Sequence, residues 1–304
     1  MNKILIIQTR IGIGDLCVFL PCIHQIAKKN ENFEIHLLTK KRSCAKDFLK
    51  YDKYIKKIFY LPNETRFKLN ISILKFLRQN RYQKCFIMHY GLRYYLLSLL
   101  ANIKKIFFYG LIKKNESIVD KSQKSTKEWL DEEIVDFEPI IFHNKNLKKK
   151  NQITFGIGGS ELSKKWNIEN FIQLAKLINN QQKIEVLLAG GPEEIDDAAY
   201  IREKLKELKI LSISLCEKKI VDCMDFLSQS IMYVGNDTGF MHLSACLSIK
   251  SYGLFGASPA DYGSYNKKIV PILPEGQNNI TYGSMMMNKI EAEYVFKKIK
   301  LDFF

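Results

Sequence analysis

Asp237, Thr238, Gly239 and His242 fall within one short stretch, Gly235-Asn236-Asp237-Thr238-Gly239-Phe240-Met241-His242-Leu243. Ahead of it, the apolar run Ile231-Met232-Tyr233-Val234 reads as a buried strand. Behind it, apolar residues recur at helical spacing, and Asp237 or Thr238 can cap that helix. A second strand is expected over 251–255, before Gly256-Ala257-Ser258-Pro259 breaks the pattern. Strand, tight turn and helix in this order leave the first N–H groups of the helix facing outward above the strand tip. With the positive end of the helix dipole, they form a ready site for an anion, phosphate above all. Gly239 lets a ligand approach the backbone closely. His242, in the first helical turn, can add a donor. An ordinary capped helix, in which Asp237 and Thr238 satisfy only backbone donors, would use the same residues.

The elements that position this stretch alternate along the chain. In the first half, strands are expected at 3–8, 34–38, 55–60, 85–88 and 105–109, with helical patterns between several of them. The first helix runs to about Lys29 and contains Pro21, which can kink or delay it. In the second half, strands are expected at 152–156, 184–189, 211–215 and 231–234, and helices at 169–178, 221–228 and 290–299. Strand alternating with helix implies parallel, doubly wound sheets. Residues 110–150 lose the alternation. They carry Lys113-Lys114, then a short helical pattern over Glu128–Val135, and close on Lys148-Lys149-Lys150, as a basic connection between two domains would.

A chain of 304 residues fits two domains, expected at 1–145 and 146–304. At 46% hydrophobic residues it can bury sizeable cores. The 47 Lys and Arg against 32 Asp and Glu give +15, a balance that favours anionic partners, although Lys is abundant throughout. Nucleic acid is not expected, since no basic helix or aromatic-interleaved sheet face stands out. No run of 18 apolar residues suggests a membrane span, and Met1 to Ile7 reads as a strand rather than a signal peptide. Seven cysteines, an odd number without CxxC spacing, point to a reducing cytoplasm. Metal chemistry lacks its usual signatures: there is no Asp-x-Asp, no His-Glu-x-x-His and no Cys/His zinc spacing, and the five histidines are far apart in sequence. Gly12-Ile13-Gly14 after the first strand is a weak dinucleotide signal, because Cys17 stands where the third glycine belongs and Thr39-Lys40-Lys41 replaces the acid. A nucleotide-sugar epimerase would also want a Tyr-x-x-x-Lys pair; Tyr51 to Ile55 and Tyr90 to Tyr94 lack the lysine.

Three motifs in order resemble glycosyltransferase family 9, the ADP-heptose:lipopolysaccharide heptosyltransferases and their relatives. The first is Gly14-Asp15 after strand one, followed by Pro21. The second is Ser160, then Lys164-Lys165-Trp166 before a helix, with Asn167 where proline is more usual. The third is Gly-Asn-Asp-Thr-Gly-x-x-His-Leu at 235–243, with a later strand ending Leu254-Phe255-Gly256. Nothing between about 40 and 150 matches the family.

The resemblance implies two Rossmann-like domains facing each other across an interdomain cleft, the GT-B arrangement of an α/β fold, with the C-terminal helix returning to the first domain. It implies an inverting, metal-independent sugar transfer without a cofactor, heptose moving from ADP-heptose to a lipopolysaccharide core saccharide. Asp15 would be the general base toward the acceptor hydroxyl, on an acceptor-side loop with Gly12 and Gly14. Ser160, Lys164, Thr238, Gly239 and His242 would hold the donor diphosphate, Asp237 the donor sugar and Glu194 the ribose. Lys165 and Glu193 stay open as substitutes for their neighbours. Helix capping would equally occupy Asp15 and Glu194. The implied partners are a nucleotide-sugar donor, a lipid-anchored saccharide acceptor and, peripherally, an anionic membrane surface at the inner face of the bacterial inner membrane.

Overall fold

The computed structural model describes residues 2–303 except 112–115, 144 and 146. The basic pair Lys113-Lys114 therefore lies outside the described residues. The chain divides into two compact units, Met1–Phe142 and His143–Phe304.

The first unit runs β1 (Asn2–Ile7), α1 (Ile13–Lys29), β2 (Phe33–Thr39), α2 (Ala45–Phe48), β3 (Ile55–Tyr60), α3 (Arg66–Asn80), β4 (Lys84–Ile87), α4 (Leu92–Leu100), β5 (Lys105–Phe108) and α5 (Ile118–Leu130). Its five strands are all parallel, in the order β3-β2-β1-β4-β5. Ile4 to Ile7 are fully buried, as expected for a central parallel strand covered on both faces. Pro21 lies inside α1, which continues without interruption to Lys29.

The helix expected over Glu128–Val135 is corrected to α5, which ends at Leu130. Asp131 adopts a left-handed backbone there and terminates it. Serine and threonine form much of the inward face of α5: Ser122, Ser125 and Thr126 are buried beside Ile118 and Val119. Their small side chains let α5 pack on α1. Burial there pushes the Cys22 thiol up to about 11, with Thr126 and Ser122 as its hydrogen-bonding neighbours.

The second unit runs β6 (Gln152–Gly156), α6 (Ile168–Gln181), β7 (Glu185–Ala189), α7 (Ile195–Glu207), β8 (Leu211–Ser214), α8 (Ile220–Ser228), β9 (Met232–Asn236), α9 (Gly239–Cys246), β10 (Lys250–Leu254), β11 (Ile269–Ile272) and α10 (Ala292–Phe303). Its six parallel strands are ordered β11-β10-β9-β6-β7-β8. Numbered from β6, that is the classic Rossmann order 3-2-1-4-5-6. The four-residue β11 was not anticipated. It contains Pro271, which an edge strand tolerates because one side of its backbone needs no ladder donor.

The terminal helix packs within its own unit. Val295 and Ile299 are fully buried in the core shared with Trp166, Phe171 and Ile178, and α10 lies against α6. The Trp166 indole N–H fixes the approach by donating to the Ile290 carbonyl at 2.6 Å.

Candidate functional site

In open parallel sheets the natural ligand position is outside the carboxyl ends of the strands, where the strand order reverses. In the second unit that point lies between β6 and β9, and the residues following those strands meet there. Asn236 ends β9 fully buried. Its Nδ2 donates to the carbonyls of Ile157 at 3.1 Å and Gly158 at 2.8 Å, while its Oδ1 accepts the Trp166 N–H at 2.9 Å. One side chain thus ties both ends of the loop 157–166 to β9, and that loop carries Ser160 and Lys164. Tyr233 supports the same turn from beneath by donating to the Asn236 carbonyl at 2.9 Å. Glycine is required at 156 because a Cβ there would come within 1.6 Å of the Tyr233 hydroxyl.

Asp237 follows directly. The Ser258 hydroxyl donates to its Oδ2 at 2.9 Å, and His242 Nε2 lies 3.5 Å from its Oδ1. Burial opposes the charge on Asp237, but His242, Ser258 and the nearby Lys164 ammonium outweigh it and hold the carboxyl below its ordinary range. It is therefore a carboxylate throughout the neutral range. Thr238 is the N-cap of α9 and makes no side-chain capping bond. The leading amides of α9 are thus not taken up by the hydroxyl that usually claims them.

His242, expected to add a donor to the diphosphate, lies within the core. It is 2% exposed, shares a hydrogen bond of 2.9 Å with the Tyr265 hydroxyl through Nδ1, and stacks on the Tyr265 ring. Its nitrogens serve Tyr265 and Asp237, so it positions Asp237 from inside the core. Ser160 is exposed on the loop.

The two adjacent lysines separate by partner. Lys165 Nζ lies 2.8 Å from Glu194 Oε1 and 3.8 Å from Asp197 Oδ2, whereas Lys164 acts on Asp237. Glu194 itself is 3% exposed and accepts the Gly191 N–H through Oε2 at 2.7 Å. Glu194 and Lys165 therefore clamp the β7 turn to the loop after β6. Lys165→Ala is expected to cost about 2 kcal/mol, because it leaves a buried carboxylate without its cation. A lowered denaturant midpoint with unchanged slope checks this; an unaltered midpoint would remove the clamp role.

The corresponding reversal in the first unit lies between β1 and β4. Gly12 is the N-cap of α1 and donates its N–H to Asp15 Oδ2 at 2.9 Å, while Arg10 Nε donates to Oδ1 at 2.7 Å. Gly14 is buried in the first turn of the helix. The turn closes tightly: a Cβ on Gly12 would stand 3.2 Å from Asp15 Oδ2. After β4 comes His89, whose Nδ1 accepts the Gly91 N–H at 2.9 Å. Burial, then Arg93, Lys40 and Arg10, depress its pKa and favour the neutral ring, with its proton on Nε2. Arg10 and Lys40 follow two different strands and Arg93 lies in the first turn of α4, so cations rim the carboxyl end of this sheet near the neutral His89. No sequence pattern marked Asn236, Ser258, Tyr265 or Arg10 as site residues, and His89 reads from the sequence as a packing or surface residue. For Asn236 and Ser258 a signal existed, since both sit where a strand run meets a turn.

Comparison with known proteins supplies the family. The model of glycosyltransferase family 9 (heptosyltransferase) matches residues 88–288. Lipooligosaccharide heptosyltransferase 2 of Campylobacter jejuni serotype O:2 is 32% identical over 99 residues, 31% of this chain and 30% of that relative, so this match spans less than a third of the relative's length. The enzyme of the same name from serotype O:6 is 26% identical over 260 residues, 80% of this chain and 78% of the relative. Among solved structures, E. coli ADP-heptose lps heptosyltransferase II has a TM-score of 0.79 at 17% identity, covering 99% of this chain and 98% of that one. E. coli heptosyltransferase WaaC with ADP-2-deoxy-2-fluoro heptose has a TM-score of 0.76 at 14% identity, covering 99% of both chains. At those identities the structural likeness is one of fold, and the fold is GT-B. With the family model spanning well over half of its residues, and both strand-order reversals carrying the residues by which the sequence resembles that family, this chain belongs to glycosyltransferase family 9.

Proposed function

We propose that the protein transfers heptose from ADP-heptose to a saccharide of the lipopolysaccharide core, by inverting single displacement and without a metal ion. The choice of donor draws support from the solved relative that holds an ADP-linked fluorinated heptose. The observation that carries it is the turn at the strand-order reversal of the second unit: an uncapped helix N-terminus, a carboxylate and a lysine meet there. Backbone amides of Thr238 and Gly239, with Ser160 and Lys164, hold the diphosphate. Asp237 accepts from hydroxyls of the sugar. Glu194, with carboxylate lone pairs left after Lys165 and Gly191, takes the ribose, and Glu193 is its neighbour at the same turn.

On the first unit, Asp15 removes the proton of the acceptor hydroxyl as that oxygen bonds to the anomeric carbon. The bond from that carbon to the diphosphate oxygen breaks, and ADP leaves with the electron pair. The charge it gains is met by Lys164 and the amides of α9. The cations Arg10, Lys40 and Arg93 suit an acidic, lipid-anchored saccharide, and the proposed setting of the transfer is the cytoplasmic face of a membrane.

The test is a melting experiment with nucleoside diphosphates, run in EDTA beside a transfer assay. ADP at about a hundred times its Kd adds roughly 2.7 kcal/mol, so a rise of several degrees is expected with ADP and a smaller one with UDP or GDP. No shift with ADP, or transfer abolished by EDTA, would count against the proposal.

A further inference from the structure

Helix α4 is apolar on two faces. Tyr94, Leu97 and Ser98 are buried against the sheet. Leu92, Leu96, Leu99 and Leu100 recur at i, i+4, i+7 and i+8 and are 62%, 53%, 47% and 58% exposed. The core does not use this second stripe. Helix α3 lies against α4 and is tied to it by Arg78, whose guanidinium donates to the Leu100 carbonyl at 3.0 Å. It adds Phe67 and Ile71, 75% and 53% exposed. Exposed apolar side chains concentrated on two neighbouring helices mark an interaction surface.

The charge around it selects the partner. Residues 65–111 contain nine Lys and Arg and not one Asp or Glu. On α3, Lys68, Ile71, Lys75 and Arg78 share one face at i, i+3, i+7 and i+10, and all are exposed. A second copy docking by the same face would set these cations against themselves with no acid to offset them. Nucleic acid would leave six large apolar side chains with nothing to bury them. An anionic bilayer satisfies both features: leucines enter the boundary of the acyl chains while Lys and Arg remain at the headgroup phosphates. No helix of the described residues is long and apolar enough to cross a membrane, so contact would be from the surface.

We infer that the exposed face of α3 and α4 docks this protein on an anionic phospholipid surface. This deepens the proposal of a lipid-anchored acceptor. Leu92 begins α4 three residues after His89, so docking brings the carboxyl end of the first sheet, with Asp15, to the lipid surface.

The experiment is co-sedimentation of the full chain with phosphatidylcholine vesicles, with and without phosphatidylglycerol. Neither vesicle contains saccharide, so the outcome does not depend on donor or acceptor chemistry. Binding is expected with phosphatidylglycerol, at least about tenfold weaker without it, and weakened by salt. Leu96→Gln with Leu99→Gln should lower binding by about tenfold or more. Lys68→Gln with Lys75→Gln should lower it on the order of tenfold and reduce the salt dependence. Both variants alter exposed positions and should keep the wild-type melting temperature and its rise with ADP. Binding indifferent to headgroup charge, or equal in the leucine variant, overturns the inference. So does a concentration-dependent dimer that the leucine changes dissociate, which would assign the face to a second copy. Loss of the ADP effect in wild type, with vesicle binding intact, would overturn the donor proposal and leave this one standing.

Discussion

Asp15→Asn is expected to slow transfer by about a hundred- to ten-thousand-fold, the usual cost of losing a general base, while ADP affinity stays within about twofold of wild type. The substitution is nearly isosteric, and the amide oxygen can still accept from the Gly12 N–H or from Arg10. What it loses is the ability to take a proton, together with the ion pair to Arg10. The proposed donor residues lie on the other unit, so the nucleotide should not register the change. Pairing transfer rate with ADP affinity in one variant separates the alternatives. Near-normal turnover would reduce Asp15 to the N-terminal acid of α1. Joint loss of turnover and affinity would indicate damage beyond the acceptor side. Arg10→Gln refines the result. If Arg10 only positions the carboxylate, its loss should lower the rate less than Asp15→Asn does and shift the pH profile, because a carboxylate without its guanidinium is more basic.

The parts of this molecule that were legible in the sequence are those where one residue type permits few alternatives. Continuous apolar runs such as Ile4–Ile7 and Met232–Val234 are buried parallel strands because both of their faces need cover. The turn after β9 was legible because Gly, Asn, Asp and Thr in succession suit a strand end and a helix cap. Helix α5 was missed because its inward face is largely Ser and Thr, which hydropathy periodicity does not mark. Its packing depends on side-chain size against α1, a tertiary property. The burial of His242 was illegible for a similar reason. Helical spacing places it in the first turn, but its partners, Tyr265 twenty-three residues on and Asp237, are set by tertiary packing. The bond from Arg10 to Asp15 depends on a loop closure that spacing alone does not define.

The separation of Lys164 from Lys165 yields the second large effect. Lys165 is committed to Glu194 and Asp197, and its charge is used within the fold. Lys164 ends a short 3-10 turn, Leu162–Lys164, on the loop that Asn236 holds to β9. Its charge reaches Asp237, a residue at the cap of α9. A diphosphate seated on the α9 amides would be met by that ammonium. During transfer the diphosphate gains negative charge as the sugar departs, so a fixed cation stabilises the transition state more than the ground state. Lys164→Ala is therefore expected to lower kcat by about a hundred- to a thousandfold, comparable to deleting an oxyanion donor, and to weaken ADP about tenfold. Stability should change little, since Lys164 is partly exposed. Lys165→Ala should show the reverse, with reduced stability and a smaller effect on kcat measured well below its melting temperature. Equal kcat in wild type and Lys164→Ala would sink the assignment. Recovery of part of the rate in Lys164→Arg, which keeps the charge and alters its geometry, would show that charge is what the leaving group needs.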